Sequence, residues 1–178
     1  MEKMFKSREI LQFKKFKSME RHATIRTVDI AEFDPKELEF FYYDILRFYE
    51  SDVDNIAAYS LRNRNQYNAY LRLKADLDFD LVDNINEIDV NALQKFYYTD
   101  SKRNKIRSWF FHLRNAFAHN RIYKQRDGSI ILEDAEIISE ERLMNGERPH
   151  LTMYAKTESF NKLKEIINGV KGLKSLEQ

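Results

Sequence analysis

One stretch of the chain leaves little freedom in how it can fold. Between residues 101 and 120, Ile106, Trp109, Phe110, Leu113, Ala116 and Phe117 recur at helical spacing. A helix with so apolar a face has to be deeply buried on that side. The spacing predicts a helix over about 101–120, with Ser101 as its N-cap. Glycine and proline supply only four and two of the 178 residues, so few tight turns are on offer. That scarcity favours a mainly α fold in one domain spanning 1–178.

Other elements can be placed around that helix. Residues 3–17 read as a basic amphipathic helix, with Phe5, Ile10, Phe13 and Phe16 interleaved with Lys14, Lys15 and Lys17. Within 1–26 it forms a peripheral element that either lies on a nucleic acid or membrane surface or packs through its phenylalanines. Asp34-Pro35 is a helix start, opening a helix over about 35–50 with Leu38, Phe41, Tyr42, Ile45, Leu46 and Tyr49 inward. A further helix is expected over 53–77, a connection over 80–88 and a short helix over 90–98 capped by Asp89. Arg126-Asp127-Gly128-Ser129 is a turn signal, and Ser129–Glu133 and Leu151–Ala155 read as two short strands of a small hairpin. A last helix runs to about Asn168, with Gly169 as its C-cap.

Absences exclude several chemistries. With no cysteine there is no disulfide, thiolate nucleophile, iron–sulfur cluster or cysteine zinc site. The four histidines are scattered, so no metal and no cofactor is expected. No glycine precedes Gly128, which argues against a glycine-cradled phosphate. No apolar run approaches the ~20 residues of a membrane helix, and the first residues lack a signal-peptide core. The expected setting is soluble and cytoplasmic, with no membrane partner.

The formal net charge of +1 conceals alternation. Residues 1–26 carry +5, 27–54 carry −7, 55–75 carry +4, 76–94 carry −6, 95–126 carry +8, 127–158 carry −5 and the tail +2. Such blocks either pair with one another inside the molecule or leave a basic patch for an acidic partner.

The +8 block contains Leu113-Arg114-Asn115-Ala116-Phe117-Ala118-His119. Histidine can take a proton from a hydroxyl and return one to a leaving oxygen. Arginine offers a fork of donors to phosphate oxygens, and Asn115 an amide to orient either partner. That set can cleave RNA without a metal: the 2′-hydroxyl attacks the adjacent phosphorus and leaves a 2′,3′-cyclic phosphate. Asn115 and His119 share a helix face, whereas Arg114 and His119 point roughly 140° apart at about 100° per residue. A distorted helix or a second copy across a two-fold axis would bring them together. The plain alternative is that Arg114 binds a carboxylate from an acidic block and His119 caps the helix.

Arg114-Asn115-Ala116-Phe117-Ala118-His119 resembles the signature of the HEPN superfamily, an arginine followed four to six residues later by histidine. The resemblance covers residues 101–123 and implies a helical bundle, with the small β-hairpin preceding the C-terminal helix. It also implies a homodimer with its active cleft at the interface, and metal-independent endoribonuclease activity. Many such proteins are toxins with an antitoxin or regulatory partner, or phage-defence effectors. Carried over, Arg114 and His119 are the catalytic pair and Asn115 positions them. Charge and position add Lys102, Arg103, Lys105, Arg107, His112 and Arg121 as RNA contacts. Other members bind RNA, nucleotides or proteins without catalysis, which is the alternative function.

Overall fold

A computed structural model describes residues 30–51, 64–99, 104–147 and 149–173. The proposed N-terminal helix, the Ser101 cap, Lys102 and Arg103 lie outside the described residues.

The fold is mixed α/β, and the expectation of an all-helical bundle is corrected. Six strands form one sheet in the order β1-β4-β5-β6-β3-β2. They are β1 (Ile30–Ala31), β2 (Asp80–Val82), β3 (Lys95–Tyr98), β4 (Ile122–Gln125), β5 (Ile130–Ala135) and β6 (Leu151–Thr157). Strands β2 and β3 run parallel; the other neighbours are antiparallel. The two strands expected after the turn do pair, Leu132 opposite Ala155, but at the centre of a sheet rather than as an isolated hairpin. The short helix expected over 90–98 is instead a turn leading into β3, and the connection over 80–88 contains β2.

Burial on both faces is the reason β3 escapes a periodicity argument, and β5 reads as a strand through its flanking turn rather than through alternation. All six residues of β5 are buried, as are Phe96, Tyr97 and Tyr98 of β3. A strand covered on both sides loses the alternation of apolar and polar residues that marks a half-buried one. Phe96, Tyr98, Ile130, Leu132, Met153 and Ala155 enter the main core, whereas Tyr97, Ile131 and Tyr154 form a smaller cluster with Val82, Ile85, Ile88 and Val90. Few glycines did not prevent the turns either. Asp78, Gln94 and Asn120 adopt left-handed φ of 47°, 56° and 54°, supplementing Gly128 and Gly146. Asp and Asn tolerate that region better than most side chains.

The helices are α1 (Pro35–Phe40), a π-helical stretch (Phe41–Arg47) continuing into α2 (Phe48–Ser51), α3 (Arg64–Asp76), α4 (Lys105–Ala118), α5 (Glu140–Met144) and α6 (Phe160–Gly172). Asp34 caps α1 through the Lys36 and Glu37 amides, Glu37 returns the bond in a capping box, and Pro35 stands in the first turn. The cap holds the Asp34 carboxyl below its ordinary range, chiefly through the Glu37 amide. Helix α4 carries the expected face: Ile106, Trp109, Phe110, Leu113 and Ala116 are fully buried. Phe41 stacks on Phe117 at 5.8 Å and Phe48 lies 5.1 Å from Phe110 between ring centroids. Gly169 is not the C-cap of α6 but an interior residue: a Cβ there would sit 2.7 Å from Leu73 Cδ1 of α3. Its smallness serves close helix packing.

Helix α4 ends on a Schellman turn. Arg121 N–H donates to Ala116 O at 2.7 Å and Asn120 N–H to Phe117 O at 3.0 Å. His119 is the C-cap, and Asn120 takes the left-handed position usually given to glycine. No described helix is long and apolar enough to cross a membrane.

Asn120→Gly should keep or raise stability by up to about 1 kcal/mol, while Asn120→Val should lower it by about 1–2 kcal/mol. Urea unfolding of the three proteins measures this, and equal midpoints would show that the turn exerts no conformational demand.

Candidate active site

The polar residues of α4 converge on one carboxylate from the sheet. Residues 130, 132 and 134 of β5 share a face, and Ile130 and Leu132 enter the core beneath α4. The third position is Asp134, 3% exposed. A carboxylate there has to be surrounded by donors. His112 Nδ1 lies 2.7 Å from Asp134 Oδ2, and Asn115 Nδ2 donates to the same oxygen at 3.2 Å. The backbone N–H of Ala135 donates to Oδ1 at 3.0 Å, and Arg121 Nη1 lies 4.0 Å from it.

His112 is 2% exposed, and its Nε2 lies 2.8 Å from the Thr99 carbonyl oxygen. Each ring nitrogen therefore faces a protein oxygen within hydrogen-bond distance. Both nitrogens are then spent inside the fold, so the expected contact of His112 with RNA finds no free ring atom. Arg121 is 8% exposed and donates to the Ala135 carbonyl at 2.8 Å. Its guanidinium ties the helix end to β5 rather than facing a ligand. Lys105 and Arg107 stand partly exposed in the first turn of α4, at the end opposite His119.

The signature residues lie above this network. Arg114 Nη1 donates to Asn115 Oδ1 at 2.9 Å, and Arg114 Nη2 lies 3.5 Å from Glu50 Oε1 of α2. The π-helical stretch precedes Glu50 by one short turn, and Tyr49 packs near Phe111 of α4 at 6.1 Å. Single π turns are common beside functional sites. Arg114 Nε is buried and has no hydrogen-bond partner among the described residues. His119 is partly exposed at the helix end, and its ring makes no hydrogen bond among the described residues. The structure therefore groups Arg114 with Asn115, places His119 one turn beyond them, and leaves His112 and Arg121 beneath. The Glu50–Arg114 pair is the contact expected if arginine simply meets an acidic block.

Sequence reasoning missed Asp134, Glu50 and Thr99. Asp134 carried one signal, an acidic pair, Glu133-Asp134, inside a run otherwise reading as strand. Among the described residues no three histidine, aspartate or glutamate side chains gather as metal ligands. A cavity of about 410 Å³ lies elsewhere, between α3 and β2, lined by Leu71, Lys74, Phe79, Asp80, Leu93 and Lys95. It shares no residue with the Arg114–His119 region.

No protein-family model, curated protein or solved structure matches this chain.

Replacing His112 by leucine leaves Asp134 buried without its closest donor. The cost should be about 3–5 kcal/mol, the range for breaking a buried charged pair. Chemical denaturation measures it; a loss below about 1 kcal/mol would place the pair effectively in solvent.

Proposed function

We propose that the chain is a metal-independent endoribonuclease acting as a homodimer, with Arg114, Asn115 and His119 of each copy at a shared cleft. The observation that carries this reading is the contrast within one helix end. His112, Asn115 and Arg121 are bound into the fold, whereas the His119 ring, one turn on, is partly exposed and unbonded among the described residues. The buried Arg114 Nε, without a hydrogen-bond partner among the described residues, leaves that guanidinium with a donor to spare, as do Arg107 Nε and Trp109 Nε1 elsewhere on α4.

In the reaction, one His119 ring takes the proton of the RNA 2′-hydroxyl as that oxygen attacks the neighbouring phosphorus. The P–O5′ bond breaks, and the 5′-oxygen leaves with a proton from the second copy's ring. Arg114 spreads its donors over the non-bridging phosphoryl oxygens, where charge grows. The products are a 2′,3′-cyclic phosphate and a 5′-hydroxyl. DNA, lacking the internal nucleophile, is not cut. A toxin or phage-defence role, restrained by an antitoxin or regulatory partner, belongs to the same proposal through the HEPN resemblance.

The Glu50–Arg114 pair favours a second reading, a module that binds RNA, a nucleotide or a protein without turnover. Incubation of the chain with mixed-sequence RNA in excess EDTA separates the two. Cleavage with cyclic phosphate ends is expected, falling by at least about a hundredfold in Arg114→Ala and His119→Ala, with circular dichroism and oligomeric state unchanged. Binding without cleavage in the parent chain, or cleavage surviving both substitutions, would overturn the nuclease assignment.

A further inference from the structure

The geometry points to Asp134 as a positioning residue that fixes the Asn115 amide and, through it, the Arg114 guanidinium. This rests on the nuclease reading for its kinetic consequence, but its structural part does not.

An asparagine amide has two faces of opposite character, one accepting and one donating. At Asn115 the choice is made from below. Asp134 Oδ2 can only accept, so the amide must present Nδ2 to it, at 3.2 Å. The oxygen then points to Arg114 Nη1, which donates to it at 2.9 Å. Reversing the amide would set an NH2 group against the guanidinium and an oxygen against a carboxylate, repulsive at both ends. One buried carboxylate thus determines what the partly exposed arginine meets. Arg114 is held between Asn115 Oδ1 and Glu50 Oε1, with the guanidinium plane fixed before any phosphate arrives.

Only a carboxylate can fill this role at that size. Its Oδ2 accepts from His112 and Asn115, and its Oδ1 accepts from the Ala135 amide and faces Arg121. An asparagine at the same place has one oxygen and one NH2. With the oxygen toward His112 and Asn115, the NH2 meets the Ala135 N–H and the Arg121 guanidinium. With the oxygen toward Ala135 and Arg121, the NH2 meets the His112 and Asn115 donors. Either orientation sets donor against donor, and the second releases the Asn115 amide to turn over.

The test is Asp134→Asn, read in two independent ways. The first is the side-chain 15N–1H signals of Asn115 Nδ2 and of the Arg114 guanidinium, assigned through Asn115→Ala and Arg114→Lys. Both sets should move in Asp134→Asn, and the Asn115 protons, protected in the parent, should exchange faster. The second is cleavage of a mixed-sequence single-stranded RNA: kcat should fall by about a hundredfold, the scale for a misplaced catalytic group, with KM changed by no more than about twofold. A merely structural Asp134 would reduce the folded fraction and leave those side-chain signals unmoved in what stays folded, which would overturn the inference. Movement of the signals in a chain that cleaves no RNA supports the positioning and sinks the nuclease reading alone. If Asp134→Asn does not fold, the parent chain decides: slow exchange of the Asn115 side-chain protons supports the inference, and exchange at the rate of a free amide overturns it.

Discussion

Putting a carboxylate between a helix and a sheet costs several kcal/mol unless donors take the place of water. Asp134 meets that demand by drawing on separate parts of the chain. His112 and Asn115 come from one face of α4, Arg121 from beyond its end and the Ala135 amide from β5 itself. His112 then passes the constraint on to the Thr99 carbonyl at the end of β3. The apolar face of α4 seats the helix on the sheet through close packing. The bonds to Asp134 add direction, which apolar burial lacks. They set the rotation of α4, and with it the side on which Arg114 and His119 emerge.

The charge blocks find their partners in the same way. Glu37 and Glu50 of the −7 block pair with Lys124 and Arg114 of the +8 block. Lys74 of the +4 block meets Asp80 of the −6 block at 2.7 Å, and Asp44 meets Lys171 of the tail at the same distance. These blocks are therefore used in part to lace segments together, three of the four pairs joining parts of the chain far apart in sequence. Most of these pairs are half exposed and contribute little individually. Glu37 differs: it is 7% exposed, Lys124 bonds both its oxygens, and it closes the α1 capping box. It joins the first helix to the strand that follows the signature segment.

Helix α4 was legible because an apolar face at period 3.6, running from Ile106 to Phe117, fits a helix packed on one side and little else. The Asp34-Pro35 start and the strands read over 129–133 and 151–155 were legible through caps, turns and breakers, and the strands run on to Ala135 and Thr157. The sheet was not. Its strands β2 and β4 are three and four residues long, and β3 is covered on both faces, so none of the three shows a clean alternation. The count of glycines misled for a definite reason: Asp78, Gln94 and Asn120 take the turn positions that glycine usually fills. In the candidate site, Arg114, Asn115 and His119 are marked out by residue type and spacing. Asp134 could not, since it lies 19 residues from Asn115 and is brought there only by strand pairing. His112 and Arg121 looked like ligand contacts because charge in a sequence does not reveal which side of a helix faces the core.

The π-helical stretch bears on how such a site could change over time. Between the aromatic anchors Phe40 and Phe41 at one end and Phe48 and Tyr49 at the other, the helix holds a wider turn than α-geometry allows. Removing one residue there would restore regular winding and leave Glu50 facing Arg114, because a π turn holds about one residue more than an α turn for the same rotation. A single-codon deletion in this stretch is thus a change the Glu50–Arg114 contact can absorb, whereas the same deletion within α4, which has no wide turn, would rotate the residues beyond it by about 100°.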